Sequence, residues 1–164
     1  MSKISPCLWF DGKAEEAANF YVSLFGDGSI DAISRYPEHN PTPAPFAPGQ
    51  VLVVEFTLFG QSYQALNGGP EFLANEAVSL AVGCRDQAEV DRYFEALTAD
   101  GGSPAPCGWV KDKYGFSWQL QPDAIMAMHR SGDAVAVARM MDAMMTMQKL
   151  DIAVLTAAFE GETV

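Results

Sequence analysis

The chain has 164 residues and a mass of 17.7 kDa, and its ten Lys and Arg against 21 Asp and Glu leave a formal charge of −11 and a pI near 4.4. A field of that sign repels phosphate backbones and anionic lipid, so neither nucleic acid nor a membrane surface is an expected partner. With 49% apolar and 19% charged residues, the chain is too hydrophobic to be disordered and long enough to bury a core without disulfides or a structural metal.

ISPCLWF, from Ile4 to Phe10, reads as a strand ending at Asp11-Gly12. Ala14, Ala17, Ala18, Tyr21, Leu24 and Phe25 then recur at helical spacing, with Asp11 as the expected N-cap and Gly26 and Gly28 as the stop. SIDAISRY is a second strand. PEHNPTPAPFAPG holds five of the ten prolines and must be a loop, since proline cannot donate to a sheet. VLVVEFTLFG and SYQALNGG form a hairpin about Gly60-Gln61.

The pattern then repeats. AVSLAVGC is a strand, and Asp86 with Glu89 is a capping box opening a helix on which Val90, Tyr93, Phe94 and Leu97 share a face. Shifting the first unit by 73 residues lays Phe20-Tyr21 on Tyr93-Phe94, Leu24 on Leu97 and Gly28 on Gly101, the mark of a structural repeat. Pro104 and Pro106 leave room for only a short strand before the hairpin GWVKDKYGFSWQLQP. Beyond Pro122 lie seven of the eight methionines; AVAVARMMDAMMTMQ is a helix capped by Asp133, and DIAVLTAAFEG a shorter one capped by Asp151 and ended by Gly161. This tail packs on its own sheet or offers a partner surface. The reading is α+β: tandem βαβββ units forming a curved-sheet cup over residues 1–75 and 76–122, with a helical tail over 123–164, in one compact domain.

Three cysteines, Cys7, Cys84 and Cys107, are an odd number without a CxxC spacing, which points to a reducing cytoplasm and to small buried hydrophobes rather than a disulfide framework. The amino terminus lacks the apolar core of a signal peptide, and no run has the length of a membrane span.

PCLWFDGKAEEAANFY, ALNGGPEF, DQAEVDRYFEAL, CGWVKDKYGFSWQLQP and KLDIAVL together resemble the PhnB-like branch of the vicinal oxygen chelate superfamily, which includes glyoxalase I and the bleomycin-resistance proteins. That branch carries the label demethylubiquinone methyltransferase domain. The resemblance implies a divalent metal held by four His or Glu side chains on the first and last strands of each unit. Carried onto this chain, those positions are Pro6, Gln64 or Leu66, Val78 and Gln119; a slip of one residue offers Ser5 or Cys7, Ser79 and Leu120. None is a His, Asp or Glu, and the two histidines, His39 and His129, lie outside these strands, so no metal is expected. The glycines of GDG, NGGP, ADGG and YG read as helix ends and hairpin turns, not as a nucleotide-type cradle, so no S-adenosylmethionine or other cofactor is expected.

What remains is a cup whose inward positions include Leu8, Phe10, Gln64, Asn67, Trp109 and Gln119, with Phe46 carried over its mouth by the proline loop. Aromatics with a few amides orient a neutral apolar or aromatic small molecule. Alternation places Trp9 and Trp118 on the helix side. The expected protein is therefore a metal-free small-molecule binder and a homodimer, its tail and sheet edges buried by a second copy. The alternative is an enzyme of the same superfamily with an atypical metal or acid-base site, for which Glu55, a carboxylate among apolar neighbours, is the candidate base.

Overall fold

The computed structural model describes residues 3–39 and 45–162. The chain divides into two units, Met1–Ala74 and Asn75–Val164.

The first unit runs β1 (Cys7–Phe10), α1 (Ala14–Phe25), β2 (Gly28–Arg35), β3 (Val51–Leu58) and β4 (Gln61–Asn67). Its sheet has the order β1-β4-β3-β2, with β1 parallel to β4 and the other pairs antiparallel. The helix lies on one face because Ala14, Ala17, Ala18, Tyr21 and Phe25 recur on one side of it, all buried; the Tyr21 ring stacks on Phe56 at 6.3 Å. The start of α1 differs from the sequence reading. Lys13, not Asp11, is the N-cap residue, and its side chain caps nothing. The orphan amide of Ala14 donates instead to Oδ1 of Asn67 on β4, at 3.0 Å.

The second unit repeats this plan with β5 (Ser79–Cys84), α2 (Gln87–Thr98), β6 (Ser103–Pro104), a 3-10 turn (Pro106–Gly108), β7 (Trp109–Lys111) and β8 (Ser117–Pro122), in the order β5-β8-β7-β6. The repeat is in register: Ala14 of α1 corresponds to Gln87 of α2 and Phe25 to Thr98, both a step of 73 residues. Asp86 caps α2 through the Glu89 amide at 2.9 Å, as the capping box predicts. The Glu89 carboxylate reaches one residue further back than that motif implies, accepting from the Arg85 amide and guanidinium. The hairpin turn between β7 and β8 is built on buried Asp112. Its Oδ1 accepts from the Tyr114 and Phe116 amides and its Oδ2 from the Trp118 indole, so the acid specifies the turn.

Three tail helices complete the second unit: α3 (Asp123–His129), α4 (Ala134–Met144) and α5 (Ile152–Glu160). Asp133 and Asp151 cap α4 and α5 as read from the sequence, while α3 was not foreseen. Ile125, Met140, Leu150 and Leu155 form a core of their own. Gln87 ties the tail to α2 of the same chain, donating to the Leu150 carbonyl and accepting from the Ile152 amide, and Lys149 pairs with Asp91 at 2.7 Å. The 3-10 turn is the second anchor, with the Cys107 and Gly108 amides donating to the Met147 and Gln148 carbonyls at 2.8 and 2.9 Å. Gly108 has φ of 80°, and a Cβ there would lie 2.8 Å from Leu150, so both backbone and packing require glycine. Among the described residues no helix is long and apolar enough to cross a membrane.

Candidate functional site

Strand register sorts the candidates of the first unit. Leu8 pairs with Ala65, which pairs in turn with Val54, and Phe10 pairs with Asn67, which places this row on the face where Phe56 meets Tyr21 of α1. The other face carries Cys7, Gln64 and Glu55 in one row and Trp9, Leu66 and Val53 in the next. The parity expected for β1 is therefore reversed: Phe10, 4% exposed, faces the helix and Trp9 the open face. The strand is apolar on both faces, so alternation alone has no sign to read.

Asn67 is likewise on the helix side and is fully engaged there. It accepts from Ala14, donates through Nδ2 to the Val51 carbonyl at 3.0 Å, and its own carbonyl accepts from the Tyr36 hydroxyl. The rest of ALNGGPEF is spent on Trp9. The indole N–H donates to the Gly69 carbonyl at 2.8 Å, Phe72 meets the ring edge-on at 4.9 Å, and a Cβ on Gly68 would lie 2.1 Å from the indole. Phe46 packs at the N-terminal end of α1, 5.9 Å from the Tyr36 ring and against Gly12, lining a recess of about 190 Å³ with Glu15, Gln50 and Asn67. Asn40 to Ala44 of the proline loop lie outside the described residues. Gln64 lines a different recess, of about 240 Å³, with Glu55, Asp31, Thr57 and Ser62. Hydroxyl donors from Ser29 and Thr57 hold the Asp31 carboxyl below its usual range, so it stays ionised at neutral pH.

In the second unit Trp118 is buried in one row with Val110, and Leu120 with Val82, while Trp109 pairs with Gln119 on the opposite face, the alternation of Trp118 and Gln119 being as expected. The Gln119 amide donates to the Ser79 hydroxyl at 2.7 Å, and its oxygen accepts from Gln121 at 3.3 Å. Trp109, Gln119 and Gln121 form one wall of a recess of about 170 Å³. The tail supplies much of the rest through Met126, His129 and Met144 of its helices and Leu150 of the α4–α5 connection, and Cys107 completes the rim. Sequence reasoning set His129 aside because it lies off the strands; only packing of the tail brings it here. The expectation of three buried thiols also fails for two of them. Cys84 is buried, but Cys7 is exposed and Cys107 half-buried at the recess.

The family described as 3-demethylubiquinone-9 3-methyltransferase matches residues 2–121. The chain belongs to that family. The PhnB protein from Bacillus cereus is 38% identical over 74% of this chain and 99% of its own, with a TM-score of 0.65. PA1353 from Pseudomonas aeruginosa, 22% identical over 75% of this chain and 100% of its own (TM-score 0.59), shares the fold. So does the fosfomycin resistance protein FosX from Listeria monocytogenes, solved with Mn(II) and sulfate, 16% identical over 74% of this chain and 90% of its own (TM-score 0.50). No curated protein matches. The chain is thus a PhnB-like member of the glyoxalase/bleomycin-resistance fold, and α3, α4 and α5 lie beyond the stretch that the family matches.

Two groups implied by that kinship can be tested against the side chains. At the superfamily's metal positions the first unit offers Pro6 and Gln64 and the second Val78 and Gln119; the slip of one residue brings in Cys7, which pairs with Gln64, and Ser79, which the Gln119 amide reaches. One thiol with amides and a hydroxyl lacks the carboxylate charge or imidazoles that a divalent ion needs, and the Gln119 amide is turned to its neighbours. Among the described residues no group of three or more His, Cys, Asp or Glu is arranged to hold a metal ion. S-adenosylmethionine fits no better. The first amide of α1 is taken by Asn67 and the approach at Gly12 is filled by Phe46, while α2 opens with the carboxylates of Asp86 and Glu89 where a carboxylate ligand would dock.

Proposed function

We propose that this PhnB-like protein binds a small neutral molecule, apolar or aromatic and of single-ring size, in the recess of the second unit. The observation that supports this reading is the pairing of Trp109 with Gln119 on one wall of a space whose remaining lining is largely apolar. The volume of about 170 Å³ is close to that of cavities of roughly 150 Å³ that accept benzene. The indole offers a flat apolar surface and the amides a polar edge that fixes orientation. Three free cysteines support a reducing, cytoplasmic setting.

A thermal-shift screen of aromatic and quinone-like compounds, repeated for the best hit on Trp109→Ala and Gln119→Ala, tests this. Loss of the indole weakens binding by roughly 1 to 3 kcal/mol if the ring is buried against the ligand, and loss of the amide weakens it less. Unchanged affinity in both variants removes this recess as the site.

A second reading, an acid-base enzyme, is supported by the recess of the first unit, where Glu55 and the ionised Asp31 lie beside the Gln64 amide. Turnover of a screened compound that is abolished in Glu55→Gln and kept in Gln119→Ala would select it.

A further inference from the structure

The tail lies beyond the family's matched stretch, so whatever it builds onto the second unit is an addition to the shared fold. It carries seven methionines, and most of their sulfurs are accounted for by packing: Met140 is fully buried, and Met128, Met144 and Met147 lie against the core around it. Met145 is different. It is 65% exposed, and its Sδ lies 3.4 Å from Sγ of Cys107, close enough for the thiol to donate to it.

Cys107 is itself out of place as a structural residue. Its φ of 61° and ψ of 36° put it in the left-handed region, where glycine is at ease and a residue with a Cβ is strained. The bonds from Cys107 and Gly108 to the tail carbonyls explain the backbone conformation but use no side chain, so glycine would serve them as well. What the cysteine adds is a thiol against an exposed thioether. Met126 and His129 line the same recess as that thiol, which itself meets Met145 at the rim.

We propose that Cys107 and Met145, with a third donor from Met126 or His129, bind a soft monovalent metal ion, Cu(I) or Ag(I). Thiolate, thioether and imidazole are the donors such ions prefer, and a site without carboxylates gives little to Mg(II), Ca(II) or Mn(II). The thiol releases its proton to solvent as it coordinates, and the thiolate neutralises the single charge of the ion. The other two cysteines lack this setting. Cys84 is buried with its thiol pushed up to about 12, and Cys7 belongs to the first unit, apart from the tail methionines in sequence. The ion would sit on the Cys107 side of the recess that also carries Trp109 and Gln119, but neither of those residues is among its donors.

The experiment is an anaerobic titration of the full, reduced chain with Cu(I) against a chromophoric competing chelator, with Ag(I) as a redox-inert parallel. One ion per chain is expected, with X-ray absorption showing at least two sulfur neighbours. Cys107→Gly relieves the backbone strain and so keeps the fold, yet should weaken binding by more than about 100-fold, beyond the cost of losing an outer-shell partner. Met145→Leu should weaken it by about tenfold at comparable stability. Cys7→Ser should leave it unchanged. Undiminished affinity in Cys107→Gly, loss in Cys7→Ser, or a shell of oxygen and nitrogen alone would overturn the proposal.

Discussion

Cys84 shows how one side chain couples the fold to pH. It is fully buried at the end of β5, and burial, reinforced by the negative charge of Glu89, pushes its thiol from the ordinary 9.0 up to about 12. The folded chain therefore keeps this thiol neutral where the unfolded chain ionises it. Its contribution to stability is complete below pH 9 and is lost as pH rises from 9 towards 12. The stability difference between the protein and Cys84→Ala, measured by urea unfolding, should shrink by about 1.4 kcal/mol between pH 8 and pH 10. A difference constant over that range would show that the thiol is not desolvated. At this scale the sequence spoke clearly where a residue acts on its immediate neighbours: Asp86, Asp133 and Asp151 cap the helices they precede. It was silent for Asp112, whose carboxylate reaches an indole six residues away, and for Cys107, whose left-handed backbone no local pattern announces.

Among the elements, α1 and α2 share length and register but differ in how they begin. α2 carries its cap in the preceding residue, whereas α1 borrows Asn67 from a strand 53 residues away. Replacing Asn67 with Ala leaves the Ala14 amide and the Val51 carbonyl buried and unpaired, each costing about 1 to 3 kcal/mol. Asn67→Ala should lower the unfolding free energy by roughly 3 kcal/mol and loosen the start of α1, read by chemical denaturation and by amide exchange at Ala14. A loss below about 0.5 kcal/mol would mean that water takes over the amide's role. The helices were legible because apolar residues at 3.6-residue spacing announce the buried stripe whatever the partner. The facing of β1 was not: Leu8, Trp9 and Phe10 are all apolar, and only pairing with β4 decides that Phe10 meets α1 while Trp9 lies under Phe72.

For the whole molecule, the expected homodimer remains a proposal, with the exposed strand β2 and the exposed Ile33, Val135 and Met141 as surfaces a second copy would cover. Sedimentation equilibrium at micromolar concentration should give twice the chain mass, and a single-chain mass would remove the claim. The sequence by itself determined the tandem plan, because turn residues and hydrophobic period act within a few residues and recur here with a constant shift of 73. It also determined that the superfamily's metal positions hold no His or carboxylate, a matter of residue identity alone. Which candidates meet was decided by tertiary packing. Asn67 was drawn into a helix cap, Phe46 onto Gly12, and Gln64 and Gln119 into separate recesses. His129 and the tail sulfurs reach Trp109 because Gln87 and the Cys107-Gly108 turn bind carbonyls and amides of the tail some 40 to 65 residues away. Such long-range bonds depend on where backbone groups end up in space, and a backbone carbonyl leaves no mark in the sequence.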